Sequence, residues 1–254
     1  MQKRYKQEKK KTAARALAAA FWLLLWQLAA VLLDNSILLT GPFEMLRTLG
    51  RLSLEAEFWL SIGNSLLRIG GGFFFAAFLG VLLGSLSFRS RGVAAFLEPP
   101  VALMKTIPVA SFVILAIIWL GGTENLSMFV SFVVVLPMVY LNTLSGLSAA
   151  DEKLLEMAQV FRAGRIRVWR YIYVPALLPY LYSCFRTALG MAWKSGVAAE
   201  LIGQPRHTIG GNLYEAKIFL DTPSLFAWTF TIIAASMLFE RTVLFLLGRL
   251  QRKG

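Results

Sequence analysis

Long runs of apolar residues, nearly free of charge and joined by short polar connectors, constrain this chain more than any other feature. A helix rises about 1.5 Å per residue, so about 20 apolar residues cross the hydrocarbon of a bilayer. Six segments have that character: 14–33, 68–88, 101–120, 126–146, 176–201 and 224–247. The expectation is an all-α polytopic protein of the lipid bilayer with six transmembrane helices. Pro108 interrupts the third segment and Pro137 the fourth, which membrane helices tolerate. The first run, uncharged from Ala16 to Leu33, follows a tail with seven Lys and Arg in residues 3–15. It is long for a signal core and is followed by further spans, so it reads as a retained helix.

Composition agrees. Of 254 residues, 57% are apolar and 16% charged, against about a quarter charged in a soluble domain. The net charge of +12 is explained by its placement. With the N-terminus inside, segments 1–15, 88–92, 147–175 and 248–254 hold seventeen Lys and Arg. The opposite segments, 34–57, 121–125 and 203–222, hold four: Arg47, Arg51, Arg206 and Lys217. By the positive-inside rule both termini face the cytoplasm. The basic balance is a cytoplasmic collar, and no nucleic-acid partner is expected. Cys184 is the single cysteine and His207 the single histidine, so neither an intrachain disulfide nor a Cys/His metal cluster can form. No phosphate-binding G-x-x-x-x-G-K-[ST] loop is present. No catalytic residue, metal or cofactor is expected.

In the second segment Gly72, Ala76, Gly80 and Gly84 recur at steps of four. Small residues at that step make one helix face able to approach a neighbour closely. Between the fourth and fifth segments, 148–175 is richer than a plain connector. Asp151 to Phe161 alternates as a short amphipathic helix, and Ser148 with Asp151 is a candidate capping box. Gly164 is placed to end that helix in the left-handed conformation. A basic, aromatic segment from Arg165 to Tyr173 follows, and Pro175 opens the fifth span. Periodicity leaves two uses open: a helix lying on anionic lipid, or a dock for a cytoplasmic partner.

Glu156-Met157-Ala158, Gly164, and Ile172-Tyr173-Val174-Pro175 resemble the EAA loop of ABC importer permeases. Met157 replaces the middle alanine, and Arg162 stands where the family has glycine, so the turn is expected to shift to Gly164. Ser65-Leu66-Leu67-Arg68-Ile69-Gly70 resembles the Ser-Leu-x-Arg entry to the second span. Glu98-Pro99-Pro100 with Lys105-Thr106-Ile107-Pro108 resembles the third-span pattern, followed by Ile118-Trp119-Leu120-Gly121. Val197-Ala198-Ala199-Glu200 resembles the end of the fifth span. The likeness covers about 57–250 and is nearest the branch that imports nitrate, sulfonates and taurine, some members of which import a vitamin precursor.

The resemblance implies a type I ABC importer permease fold in a bacterial inner membrane. Residues 1–56 would be the basic tail, first helix and outer loop, and 57–254 the core. It also implies an ATPase-coupling helix built on Glu156, Met157, Ala158, Phe161, Arg162, Gly164 and Pro175. The implied partners are a separate ABC ATPase subunit, an extracytoplasmic substrate-binding protein and a second permease copy.

Ionisable residues inside a span are costly and are functional candidates. Arg186, Gly190 and Lys194 share one face of the fifth span, with Glu200 near its end. Arg186, Lys194 and Glu200 are the expected translocation-path residues, their positive face suiting an anion. The competing reading pairs Lys194 with Glu200 or Glu240. Glu240-Arg241 reads as a structural pair or anchor. Ile209-Gly210-Gly211-Asn212-Leu213 resembles the family's Gly-Leu-Gly loop and would gate or dock the binding protein. A secondary transporter or channel not driven by ATP is the alternative function.

Overall fold

The computed structural model describes residues 2–33, 35 and 37–251, with side-chain surroundings from Leu17 to Arg249 and at Ala14, residues 34 and 36 excepted. All seven cations of the basic N-terminal tail, and Arg252 and Lys253, lie outside the described side chains. All regular secondary structure among the described residues is helical, without a strand. In chain order the helices are α1 (Gln2–Leu33), α2 (Pro42–Leu52), α3 (Ala56–Arg89), α4 (Arg91–Thr106), α5 (Val109–Leu120), α6 (Leu126–Ser148), α7 (Glu152–Val160) and α8 (Arg165–Val168). A π-helical turn (Trp169–Tyr173) follows, then α9 (Val174–Gly203), α10 (Ile209–Ile218) and α11 (Thr222–Gln251).

Two compact units emerge, Met1–Trp59 with Asn212–Thr231, and Leu60–Gly211 with Ile232–Gly254. In the first, the Trp26 indole donates to the Thr40 carbonyl at 2.9 Å and the Thr222 hydroxyl to the Ile37 carbonyl at 2.7 Å. Phe58 lies on Trp228 with ring centroids 5.0 Å apart.

The second unit is organised on α6, of whose most apolar window 61% is buried. The small-residue face of α3 meets it. A methyl at Gly80 would stand 2.7 Å from Val139 Cβ, one at Gly84 2.7 Å from Thr143 Cβ, and one at Gly72 would overlap the Met128 carbonyl oxygen. Ala76, between them, is wholly buried. Removing Cβ atoms lets the two backbones approach, and dispersion contact over the whole face holds them. α6 also pairs with α9. Ser131 donates to the Ala192 carbonyl at 3.1 Å, and Gly146 makes room for Leu177. Phe112, Val113, Ala116, Leu126, Val130, Val133 and Ala199 form the adjoining apolar core.

The third apolar segment departs from expectation. It is two helices, α4 and α5, bent by 112°. Proline disfavours helical backbone at the preceding residue and offers no N–H. Ile107 (ψ 126°) and Pro108 (ψ 127°) are both extended, and the helix stops and restarts in a new direction. Pro137, by contrast, stays inside α6.

Three described helices are long and apolar enough to cross a membrane, Ala56–Arg89, Leu126–Ser148 and Thr222–Arg249, or four if the bent pair counts as one span. The described apolar part of α1, Leu17–Leu33, is shorter, and α9 is long but does not reach the same hydropathy. Length and composition therefore support a multi-pass membrane protein without establishing six separate spans.

Candidate functional site

The 148–175 loop forms as two short helices, with its caps placed differently from expectation. Asp151, not a Ser148 capping box, starts α7: its carboxylate accepts from the Lys153 N–H at 2.9 Å. The helix ends in a Schellman motif. The Ala163 N–H donates to the Ala158 carbonyl at 2.8 Å and the Arg162 N–H to the Gln159 carbonyl at 3.0 Å. The left-handed residue this motif requires is Arg162, at φ 49°. The turn has therefore not moved to Gly164, which is extended (φ −62°, ψ 149°) and precedes α8. Arginine occupies the conformation that glycine adopts at no steric cost. Pro175 lies in the first turn of α9, as expected.

The loop's apolar side chains have no cover in the isolated chain. Val160 is 79% exposed, Phe161 77% and Ile166 83%, and Leu154 and Met157 are also exposed. Glu156 and Arg162 are exposed beside them, and Ala158 is half-buried. Isolated apolar residues on a surface are ordinary, whereas several exposed on one short loop suit contact with a partner or with lipid.

On α9, Arg186 and Lys194 are exposed, and a methyl at Gly190 between them would meet nothing within 4 Å. The expected face therefore exists and is open. Glu200 is not on it. Six residues beyond Lys194, it lies about 240° further around the helix, and it is wholly buried. Its Oε2 accepts from the Ser65 hydroxyl at 2.8 Å and from the Gly210 N–H at 3.1 Å. Ser65 in turn accepts from the Ile209 N–H at 3.0 Å. Ser127 and Arg68 face the same carboxylate, and Arg68 Nη2 pairs with Glu124 at 2.5 Å. Glu200 thus closes a clasp joining α3, α9 and the start of α10. Neither expected ion pair of Lys194, with Glu200 or Glu240, is among the contacts of the described residues.

Gly210 belongs to the same clasp. A Cβ there would overlap Glu200 Cβ and stand 2.8 Å from the Leu201 N, so only glycine lets α10 start this close to α9. Just before it, the Gln204 N–H donates to the Glu200 carbonyl at 2.7 Å, with Gln204 left-handed at φ 53°. Ser65 and Arg68 stand in the Ser-Leu-x-Arg entry to the second apolar segment, but that pattern alone gave no sign of their distant partners.

Helix geometry alone leaves the class of membrane protein open. The sequence decides the matter: residues 48–253 match the family model described as binding-protein-dependent transport system inner membrane component. The chain belongs to that family.

Its members include several similar proteins. A Bacillus subtilis (strain 168) protein named as an aliphatic sulfonates transport permease is 29% identical over 212 residues, 84% of this chain and 75% of that protein. The taurine transport system permease of Escherichia coli (strain K12) is 27% identical over 220 residues, 85% and 80% of the two chains. The nitrate import permease of a Synechocystis species is 26% identical over 196 residues, 74% and 70%. Among solved structures, a chain of a bacterial ABC transporter that imports alginate superposes with TM-score 0.59 at 15% identity, covering 97% of this chain and 96% of that one. The fold is thus that of ABC transporter permeases, and the relatives belong to the sulfonate, taurine and nitrate branch.

Proposed function

We propose that this chain is the permease subunit of an ATP-driven importer, forming the translocation path for a small anion and coupling to a separate ATPase through residues 151–173. The observation that carries this reading is the uncovered apolar face of Met157, Val160, Phe161 and Ile166 on a doubly capped loop. A helix laid into a cleft of a partner needs such a face, with Glu156 and Arg162 alongside to set its register. Phe161 and Met157 fill the cleft, and Gly164 and Pro175 fix where the loop leaves and rejoins the bundle. When two ATPases close on ATP, the docked loops shift as rigid pieces and carry the spans between inward-open and outward-open states.

The path itself forms between two copies of the chain, with the open Arg186–Lys194 face of α9 turned towards it. Residues 57–254 are the permease core, both termini are cytoplasmic by charge placement, and an extracytoplasmic binding protein delivers the solute. The relatives' substrates, by name aliphatic sulfonates, taurine, nitrate and bicarbonate, each carry an anionic group, in taurine beside an ammonium. A solute with an anionic head is therefore the natural class, and two exposed cations on one helix face accord with it.

The test is co-purification with the candidate ATPase. Gly164 already has a φ that proline accepts, so the informative variants are Glu156→Ala and Phe161→Asp. Wild type should retain the ATPase and Phe161→Asp should lose it. Uptake by the chain alone, without any ATPase, would replace this reading with a secondary carrier.

A further inference from the structure

The bend between α4 and α5 is the least expected feature of the second unit. Two consecutive residues, Ile107 and Pro108, leave helical backbone within an apolar segment. At membrane depth a break in a helix persists only where protein covers it or where it borders a cavity. Here the Ile107 N–H still donates to the Leu103 carbonyl and the Pro108 carbonyl still accepts from the Phe112 N–H, so the chain turns while keeping those bonds. The bend borders a cavity of about 230 Å³, lined by Met104, Lys105, Phe112, Pro137, Met138 and Met191 among others.

The lining has a marked polarity. Three methionines, a proline and a phenyl ring present apolar, adaptable surface, and Lys105 is the only charged side chain among the lining residues. No ion pair is recorded for Lys105 among the described residues. α5 starts at the same bend with no side chain capping its first N–H groups, so their partial positive charge adds to that of the ammonium. Met191 comes from α9, one turn before the exposed Lys194. The cavity therefore adjoins the helix face assigned above to the translocation path.

We propose that this cavity is a substrate subsite, and that it takes an organic anion with an apolar body: the body among Met104, Met138 and Met191, the anionic head on Lys105. This rests on the permease reading above and narrows its substrate class. A volume of about 230 Å³ is several times the roughly 30 Å³ that one water occupies in the liquid. Nitrate or bicarbonate would leave most of it unfilled and would trade hydration for apolar walls, which is unfavourable for a small ion. An alkyl chain of several carbons ending in a sulfonate or carboxylate buries apolar surface and keeps its charge paired.

The experiment uses the full chain in lipid nanodiscs and measures equilibrium binding of radiolabelled 1-hexanesulfonate, with nitrate, hexanol and hexyltrimethylammonium as competitors. Hexanesulfonate should bind saturably, and the three competitors should displace it only weakly. Lys105→Gln should weaken binding by about tenfold, the scale of a lost charge-assisted contact. Met191→Trp, at a position 40% exposed and so tolerant of bulk, should fill the cavity and remove binding. Equal competition by hexanol and hexyltrimethylammonium would make the cavity a lipid-tail groove and overturn the proposal. Nitrate binding as tightly as hexanesulfonate, no saturable binding, or unchanged affinity in both variants would overturn it too. ATPase co-purification by wild type, measured on the same preparations, reads the permease assignment separately, so a failed subsite and a failed assignment give different results.

Discussion

Arg162 offers the sharpest quantitative test of the loop. It sits at the left-handed position of a Schellman motif, with φ 49° and both closing hydrogen bonds formed. Left-handed backbone costs an L-residue roughly 1–2 kcal/mol, from the clash of Cβ with the following carbonyl. Arg162→Gly removes that clash. Glycine also gains freedom when the motif opens, which offsets about 0.4–1 kcal/mol of the benefit. The net gain is a little under 1 kcal/mol, roughly fourfold in the local opening equilibrium. Hydrogen exchange reads this directly, because the Arg162 and Ala163 amides are the donors that open. In the permease alone, without ATPase, those two amides should exchange about fourfold more slowly in Arg162→Gly. They should exchange faster in Arg162→Val, whose branched side chain is least suited to positive φ. Unchanged or faster exchange in the glycine variant would refute the argument that the motif holds Arg162 under strain.

Other consequences can be checked with a thermal-shift assay in detergent. Gly80→Val should lower stability by about 1–3 kcal/mol through overpacking against Val139, whereas Gly63→Ala, on the same helix with nothing within 4 Å of its new methyl, should change little. Ser65→Ala should cost about 1–3 kcal/mol, because it strips a donor from the buried Glu200 and an acceptor from Ile209. Glu124→Gln should cost under about 1 kcal/mol, since that carboxylate is 64% exposed and its pair with Arg68 is screened. Gly210→Ala should be among the most damaging single-methyl changes, as its Cβ would press on the α9 backbone itself.

The sequence disclosed features whose cause is local and periodic. Glycine and alanine at steps of four marked the α3 face, and α6 meets that face where Gly72, Gly80 and Gly84 predict. The amphipathic pattern of 151–161 gave α7 nearly to the residue. What escaped depends on contacts between distant positions or on competing local rules. Glu200 looked like a path residue because an ionisable group in a span is a functional candidate, but its partner Ser65 is 135 positions away. The helix-ending position is Arg162, where the two closing bonds form, and Gly164 lies two residues beyond it in extended backbone, a choice between neighbouring positions that local residue preference did not reveal. Pro108 was visible, yet proline alone does not distinguish a kink from a full break. The two extended residues that produce the bend, and the cavity beside it, appear only in three dimensions.

The clasp around Glu200 also sets an order of events during synthesis. A ribosome adds about 5–20 residues per second, so roughly 7–27 s separate the emergence of Ser65 from that of Glu200, 135 positions later. Gly210 follows Glu200 by ten positions, about 0.5–2 s at the same pace. The Gly210 donor is therefore available within about 2 s of the carboxyl group itself, whereas Ser65 has been available for far longer. By then α3 and α6 have had time to pack through their glycine face. The carboxyl group that closes the clasp is thus among the last of its partners to be made, ahead of Gly210 alone.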